Sequence, residues 1–162
     1  MKKGFYFGLL TMLGFSLMSS TCSNDDDGGS PNDNSQQIAQ IQTTVESGSW
    51  RITTFIDSGQ NETADFNGYE FLFNSDGSLI ASNGTNTLNG NWSITNDSNS
   101  SDDDGGGNND LDFSINFPVP ETNRFNDLND DWDIVTTSST KIELIDVSGG
   151  NGGTDLLTFE KN

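Results

Sequence analysis

From Ser49 onward, apolar and polar residues alternate in runs too short for helices, and this period of two constrains the fold more than any other feature. "SWRITTFI" (Ser49 to Ile56) and "YEFLFN" (Tyr69 to Asn74) come first, the latter with Tyr69, Phe71 and Phe73 on one face. "SLIAS" (Ser78 to Ser82) follows across "SDG", a tight turn whose Gly77 suits positive φ. After the "NGTN" turn, "LNGNWSIT" (Leu88 to Thr95) puts Leu88, Trp92 and Ile94 on one side. "LDFSINF" (Leu111 to Phe117) aligns Leu111, Phe113, Ile115 and Phe117. "DWDIVTT" (Asp131 to Thr137), "KIELIDV" (Lys141 to Val147) and "DLLTFEK" (Asp155 to Lys161) complete about eight strands. Most connections are of hairpin length, so neighbours should pair in order and antiparallel. An all-β, eight-stranded up-and-down barrel or a related sandwich is therefore expected, since closure removes exposed edges.

A different period precedes the strands. In "SQQIAQIQTTVE" (Ser35 to Glu46), Ile38, Ile41 and Val45 fall at helical spacing, with Ser35 as candidate N-cap and Gly48 near the end. This short helix should pack on the barrel edge or plug one end. Two longer connections interrupt the strands. "NDSNSSDDDGGGNND" (Asn96 to Asp110) is of low complexity. "PVPETNRFNDLND" (Pro118 to Asp130) holds Phe125 and Leu128 at helical spacing after candidate caps Thr122 and Asn123, and so predicts a helical turn over one end of the sheet.

Composition excludes more than it assigns. The formal charge is −19, and if Lys2 and Lys3 leave with a leader, only Arg51, Arg124, Lys141 and Lys161 remain as bases. Four dispersed cations build no phosphate-binding face, so no nucleic-acid partner is expected. There is no histidine, which removes Ser-His-Asp and Cys-His catalysis and His-ligated metal or haem sites. The single cysteine, Cys22, cannot form an internal disulfide. No cofactor and no metal site is expected. The loop "SSDDDGGGNNDL" has Ser100 and Leu111 where a calcium loop needs acids, and "GGNGGTDLL" (Gly149 to Leu157) occurs once.

The region around Cys22 reads as an address rather than a fold. Residues 1–21 have the layout of a secretory signal: Lys2 and Lys3, then the apolar "GFYFGLLTMLGFSLM", then small Ser19, Ser20 and Thr21. The apolar run is about 15 residues, short of the roughly 20 that span a bilayer. With Cys22 directly after the small residues, the segment resembles a bacterial lipoprotein precursor. That resemblance implies cleavage before Cys22, lipid attachment to its sulfur, and dependence on lipoprotein processing and export machinery. Ser19 and Thr21 depart from the usual Leu and Gly, Ala or Ser of that class. "CSNDDD" further resembles the acidic export signal of Bacteroidota surface lipoproteins, with Ser23, Asn24, Asp25, Asp26 and Asp27 as the signal and Asn24 as the departure from its pattern. The resemblance implies an outer-membrane lipoprotein displayed at the cell surface, with residues 22–34 a flexible acidic tether and residues 35–162 the folded domain.

Three strands share a local pattern, "GSWRIT" at Trp50, "GNWSIT" at Trp92 and "DDWDIV" at Trp132. In each, Trp and the β-branched residue two positions later share a face, as large core fillers would. "GSWRIT" opening an eight-stranded pattern resembles the entry strand of lipocalin-like barrels. The order helix, "GSWRIT", "GYEFLFNSDGSL", "GNWSIT", "LTFEK" resembles small lipocalin-like lipoproteins of Bacteroidota. The resemblance implies a structural Trp50 at the closed end, with Arg124 as candidate for the cation that covers it; Trp132 is likewise expected to be structural.

Three functions stay open on these residues. The first is a non-catalytic barrel that binds a small apolar molecule or glycan, with Tyr69, Phe71, Phe73, Trp92, Phe113 and Ile115 as the candidate ligand-facing wall. Small barrels are equally able to fill themselves with their own side chains, which leaves a solid-cored adaptor meeting a protein or polysaccharide through its loops. The third is a glycosidase built on two carboxylates such as Glu70 and Glu143.

Overall fold

The computed structural model describes residues 34–96, 111–147 and 153–162. The leader, Cys22 with Ser23 to Asp27, the tether up to residue 33, the low-complexity loop 97–110 and residues 148–152 lie outside the described residues.

Among the described residues one helix and nine strands follow in chain order: α1 (Ser35–Val45), β1 (Ser49–Asp57), β2 (Gln60–Asn61), β3 (Glu70–Phe73), β4 (Ser78–Ser82), β5 (Thr87–Asn96), β6 (Leu111–Asn116), β7 (Asp130–Thr137), β8 (Lys141–Val147) and β9 (Thr154–Lys161). Single 3-10 turns at Thr63–Phe66 and Arg124–Leu128 lie in the connections. All pairings are antiparallel and, β2 aside, run in sequence order from β3 to β9. β1 lies between β3 and β9. Its pairing with β9, from Trp50–Lys161 to Ile56–Leu156, closes an eight-stranded up-and-down barrel. The two-residue β2 is an appendage that extends the β1 end as a hairpin.

Alternation decides the inside. On β5 the buried positions are Gly90, Trp92 and Ile94, and on β6 they are Leu111, Phe113 and Ile115. Trp50 with Ile52, Trp92 with Ile94 and Trp132 with Ile134 are buried together, so each tryptophan motif faces inward as a pair. Gly77 and Gly84 turn the β3–β4 and β4–β5 hairpins with φ of +81° at each, a region only glycine enters without steric cost. Ser58 adopts φ +46° beside Gly59 in the β1–β2 hairpin, which the strand pattern alone did not reveal.

Register places the connections at two ends. One end carries α1, the β3–β4 turn and the β7–β8 turn; the other carries the β1–β2 hairpin and both 3-10 turns. At the first end Ile41 and Val45 of α1 enter the core, with Ile38 packed beside them. The helix begins one residue earlier than its pattern implied: Asn34, not Ser35, is the N-cap, and its side chain turns to Asn96, donating to Oδ1 at 3.1 Å. At the second end Phe66, Phe125 and Leu128 are buried, and Asn123 caps its turn by accepting from the Phe125 N–H at 3.0 Å.

Candidate functional site

The six residues of the expected ligand-facing wall do lie on inward faces. Phe71, Phe73, Trp92, Phe113 and Ile115 are buried, and Tyr69 is partly buried against the core. What they face is each other. The Phe73 ring lies 5.4 Å from Trp92, 5.6 Å from Phe113 and 5.5 Å from Phe159, with edge-to-face angles near a right angle. Trp92 stacks on Phe113 at 5.6 Å. Phe71 meets Phe159 at 5.3 Å and Phe125 at 6.1 Å, and Tyr69 meets Phe125 at 4.9 Å. These separations are those of aromatic pairs in contact. The centre of the barrel is therefore a continuous mesh of rings.

The tryptophans fasten the closures. The Trp50 indole N–H donates to the Val45 carbonyl at 2.7 Å, holding the last turn of α1. The Trp132 N–H donates to Leu128 O at 3.2 Å, holding the 124–128 turn, and the Trp92 N–H donates to Asn74 O at 3.0 Å in the β3–β4 turn. An indole has one donor and no acceptor, so a buried Trp needs one carbonyl, and here each takes it from an end-closing connection. Trp50 and Trp132 are both buried, and each ties a strand to a segment that closes an end of the barrel. The cation over Trp50 is not Arg124, however. Lys161 Nζ lies 5.3 Å from the Trp50 ring, while donating to Ser47 Oγ at 2.7 Å.

Arg124 works at the opposite end. Its Nε is 3.2 Å from Asp65 Oδ2, and its Nη1 is 3.4 Å from Glu62 Oε2 and 4.0 Å from Asp127 Oδ2. It ties the 63–66 turn to the 124–128 turn. Asp57, Glu62 and Asp127 bring a carboxylate oxygen each within 4.8 Å of one another, a group the sequence reading did not single out. Partial burial, and then the neighbouring Asp57, push the Asp127 carboxyl above its usual range despite Arg124. Asp130, on the same rim, is also raised, first by burial and then by Asp146, Asp131 and Asp155. Glu70 and Glu143 sit on the outer faces of β3 and β8, with β1 and β9 between those strands. Glu143 pairs with Lys141.

No family model matches the chain, and no curated protein matches it. A solved structure does: the crystal structure of a DUF4847 family protein from Bacteroides vulgatus ATCC 8482, 17% identical over 75% of this chain and 97% of that chain, with a TM-score of 0.45.

A recess lies outside the barrel, at the α1 end. It is a groove of about 710 Å³ between the helix and the β7–β8 turn, lined by Asn34, Gln36, Gln37, Gln40, Ile41 and Thr44 on the helix side and by residues 137–139 on the other. None of these residues is charged. Helical spacing puts Gln37, Gln40, Ile41 and Thr44 on one side of α1. The facing turn is rigid: the Ser138 N–H donates to Lys141 O at 2.8 Å, Ser138 Oγ accepts from the Lys141 N–H at 3.0 Å, and Lys161 Nζ donates to Ser139 O at 3.4 Å. Nothing in the strand pattern marks this groove.

Proposed function

We propose that this chain is a lipid-anchored, non-catalytic cell-envelope protein whose solid barrel presents its outer surface to a partner. Cys22 is the attachment point at the outer membrane. Ser23, Asn24, Asp25, Asp26 and Asp27 are the export signal that places the domain on the cell surface. The observation that carries the adaptor reading is the aromatic mesh about Phe73 together with closure of both ends by α1 and the 3-10 turns. A ligand at the centre would have to displace rings that already satisfy one another. A binding surface outside the barrel needs no such displacement. The outward, mutually remote positions of Glu70 and Glu143 speak for a domain without paired acid–base chemistry.

Three experiments test the parts separately. Metabolic labelling with a fatty-acid probe should mark the intact chain and not Cys22→Ala; label on the variant overturns the anchor. Protease added to whole cells should remove the domain, and its complete protection overturns surface display. For the barrel, an apolar fluorescent dye such as N-phenyl-1-naphthylamine should leave tryptophan emission unchanged. Saturable quenching of Trp92 would overturn the solid core and restore the interior wall as a binding site for a small apolar molecule.

A further inference from the structure

We infer that the groove between α1 and the β7–β8 turn is a binding site for a neutral oligosaccharide, gripped by the Gln36, Gln37 and Gln40 amides on one side and the Thr137 and Ser139 hydroxyls on the other. The inference rests on the surface-binding reading above and supplies its ligand class. The chain carries a net charge of −19, yet among the described residues no charged side chain borders this recess; Lys161, which donates to the Ser139 carbonyl and to Ser47 Oγ, does not line it. Among those residues an anionic ligand finds no cation in the lining, and a cation no carboxylate. Among the described residues the only apolar border is Ile41, which is 5% exposed, so an amphipathic helix finds no apolar floor there. Among the described residues the closed barrel leaves only the two-residue β2 with an unpaired edge, at the opposite end from this groove, so an extended peptide has no strand edge to add to here.

What remains is a ligand that is uncharged, polar on all sides, and able both to donate and to accept. A sugar's hydroxyl array has that character. Each glutamine amide supplies two donors and a carbonyl acceptor, and each hydroxyl supplies both roles. Among the described residues the side chains of Gln36, Gln37 and Gln40 make no hydrogen bond to protein, and neither do the hydroxyls of Thr137 and Ser139. Their hydrogen-bonding capacity is free for a ligand. The volume lies within the range of pockets that hold small ligands. All three tryptophans are buried, so no indole platform stacks on the sugar and recognition is by hydrogen bonds alone. Binding is accordingly weak, with a midpoint on the order of 1 mM.

The test uses the intact ¹⁵N-labelled chain in phosphocholine micelles, titrated with maltotriose, with triacetylchitotriose and with a capped tetra-alanine peptide. At least one trisaccharide should shift the side-chain amides of Gln36, Gln37 and Gln40 and the backbone amides of Ser138 and Ser139, saturably. The double variant Gln37→Leu/Gln40→Leu, both exposed helix positions, should weaken that binding roughly tenfold or more while the core amides stay in place. Ser139→Ala, on the opposite wall, should weaken it less. Absence of groove shifts with both trisaccharides up to about 50 mM overturns the inference, as does shifting by the peptide alone, or undiminished sugar binding by the double variant. Failure here with intact Cys22 labelling and a dye-resistant core would remove the ligand class only. Failure of those two experiments would remove the parent reading.

Discussion

Gly48 and Gly90 stand at the same place in "GSWRIT" and "GNWSIT", two residues before a buried tryptophan, yet replacing each with alanine should have very different consequences. Gly90 faces inward on β5. A Cβ there would lie 2.6 Å from the Asn116 carbonyl oxygen, 2.9 Å from Phe117 Cδ1 and 3.1 Å from its Cε1. The oxygen is close to an ångström nearer than ordinary contact of about 3.5 Å. Neither neighbour can retreat easily. Asn116 is paired to Asn91, and Phe117 is gripped on both sides by Asn129, whose Oδ1 accepts from the Phe117 N–H at 2.5 Å while its Nδ2 donates to Phe117 O at 3.0 Å. Overpacking of this kind costs about 1–3 kcal/mol, and a clash with clamped backbone belongs at the upper end. The narrower unfolded ensemble of alanine returns about 0.4–1 kcal/mol. The net expectation for Gly90→Ala is a loss of about 2 kcal/mol, roughly thirtyfold in the folded-to-unfolded ratio. At Gly48 the obstruction is Lys161 Cε at 2.7 Å, the far end of a flexible side chain. Lys161 can swing aside at the expense of its contact with Trp50, which is worth about 0.5–1 kcal/mol, so Gly48→Ala should change stability by less than about 0.5 kcal/mol either way. Urea unfolding followed by tryptophan emission reads both. Equal midpoints for the two variants, or a Gly90→Ala midpoint matching the parent, would refute the packing argument.

Other consequences are as direct. Asp130 holds its proton more tightly folded than its usual value of 3.8 would imply, so its contribution to stability is greatest below that value and declines as pH rises through the raised folded value. Asp130→Asn should therefore be more stable than the parent at neutral pH, with the gap closing as pH falls below 3.8 in thermal melts. Arg124→Met removes the tie between the two 3-10 turns; it should cost about 1 kcal/mol at low salt and less near 1 M salt, where screening weakens exposed pairs. Phe73→Ala empties the centre of the ring mesh and should cost about 3–5 kcal/mol by urea midpoint. Ser58→Asn keeps the positive φ with a residue better suited to it and should add about 0.5–1 kcal/mol, read as a raised melting temperature.

The barrel was legible because a period of two repeats eight times with hairpin-length gaps. β4 and β8 begin and end where their patterns do, and β6 differs from its pattern only at Phe117. The β1–β2 hairpin and the Thr63–Phe66 turn were not legible, since one buried phenylalanine in "NETADF" establishes no period. Asn34 displaced Ser35 as N-cap for a similarly local reason: both are good cap residues, and the choice follows where the helix meets β5 through Asn96. Lys161 reached Trp50 because β9 pairs with β1 at that residue, a closure contact that no stretch of local sequence contains.

The same distinction separates the two kinds of site this chain could have carried. Inward residues such as Phe73 and Trp92 can be named from alternation, but whether they leave a void depends on how far rings from facing strands reach across the barrel. Phe159, contributed by the last strand, meets both Phe71 and Phe73. The outer groove is the reverse case. Gln36, Gln37 and Gln40 look in sequence like the wet face of a short helix, and Thr137 and Ser139 like turn residues. They become neighbours because Trp50 pins α1 at Val45 while Lys161 holds the Ser139 carbonyl, so two closure residues set both walls of the groove. Lys161→Met should therefore shift the backbone amide resonances of Ser138 and Ser139 while those of Phe73 and Trp92 stay in place, since it removes the bond to the Ser139 carbonyl and leaves the Trp50 N–H bonded to Val45; equal shifts at both places would refute this.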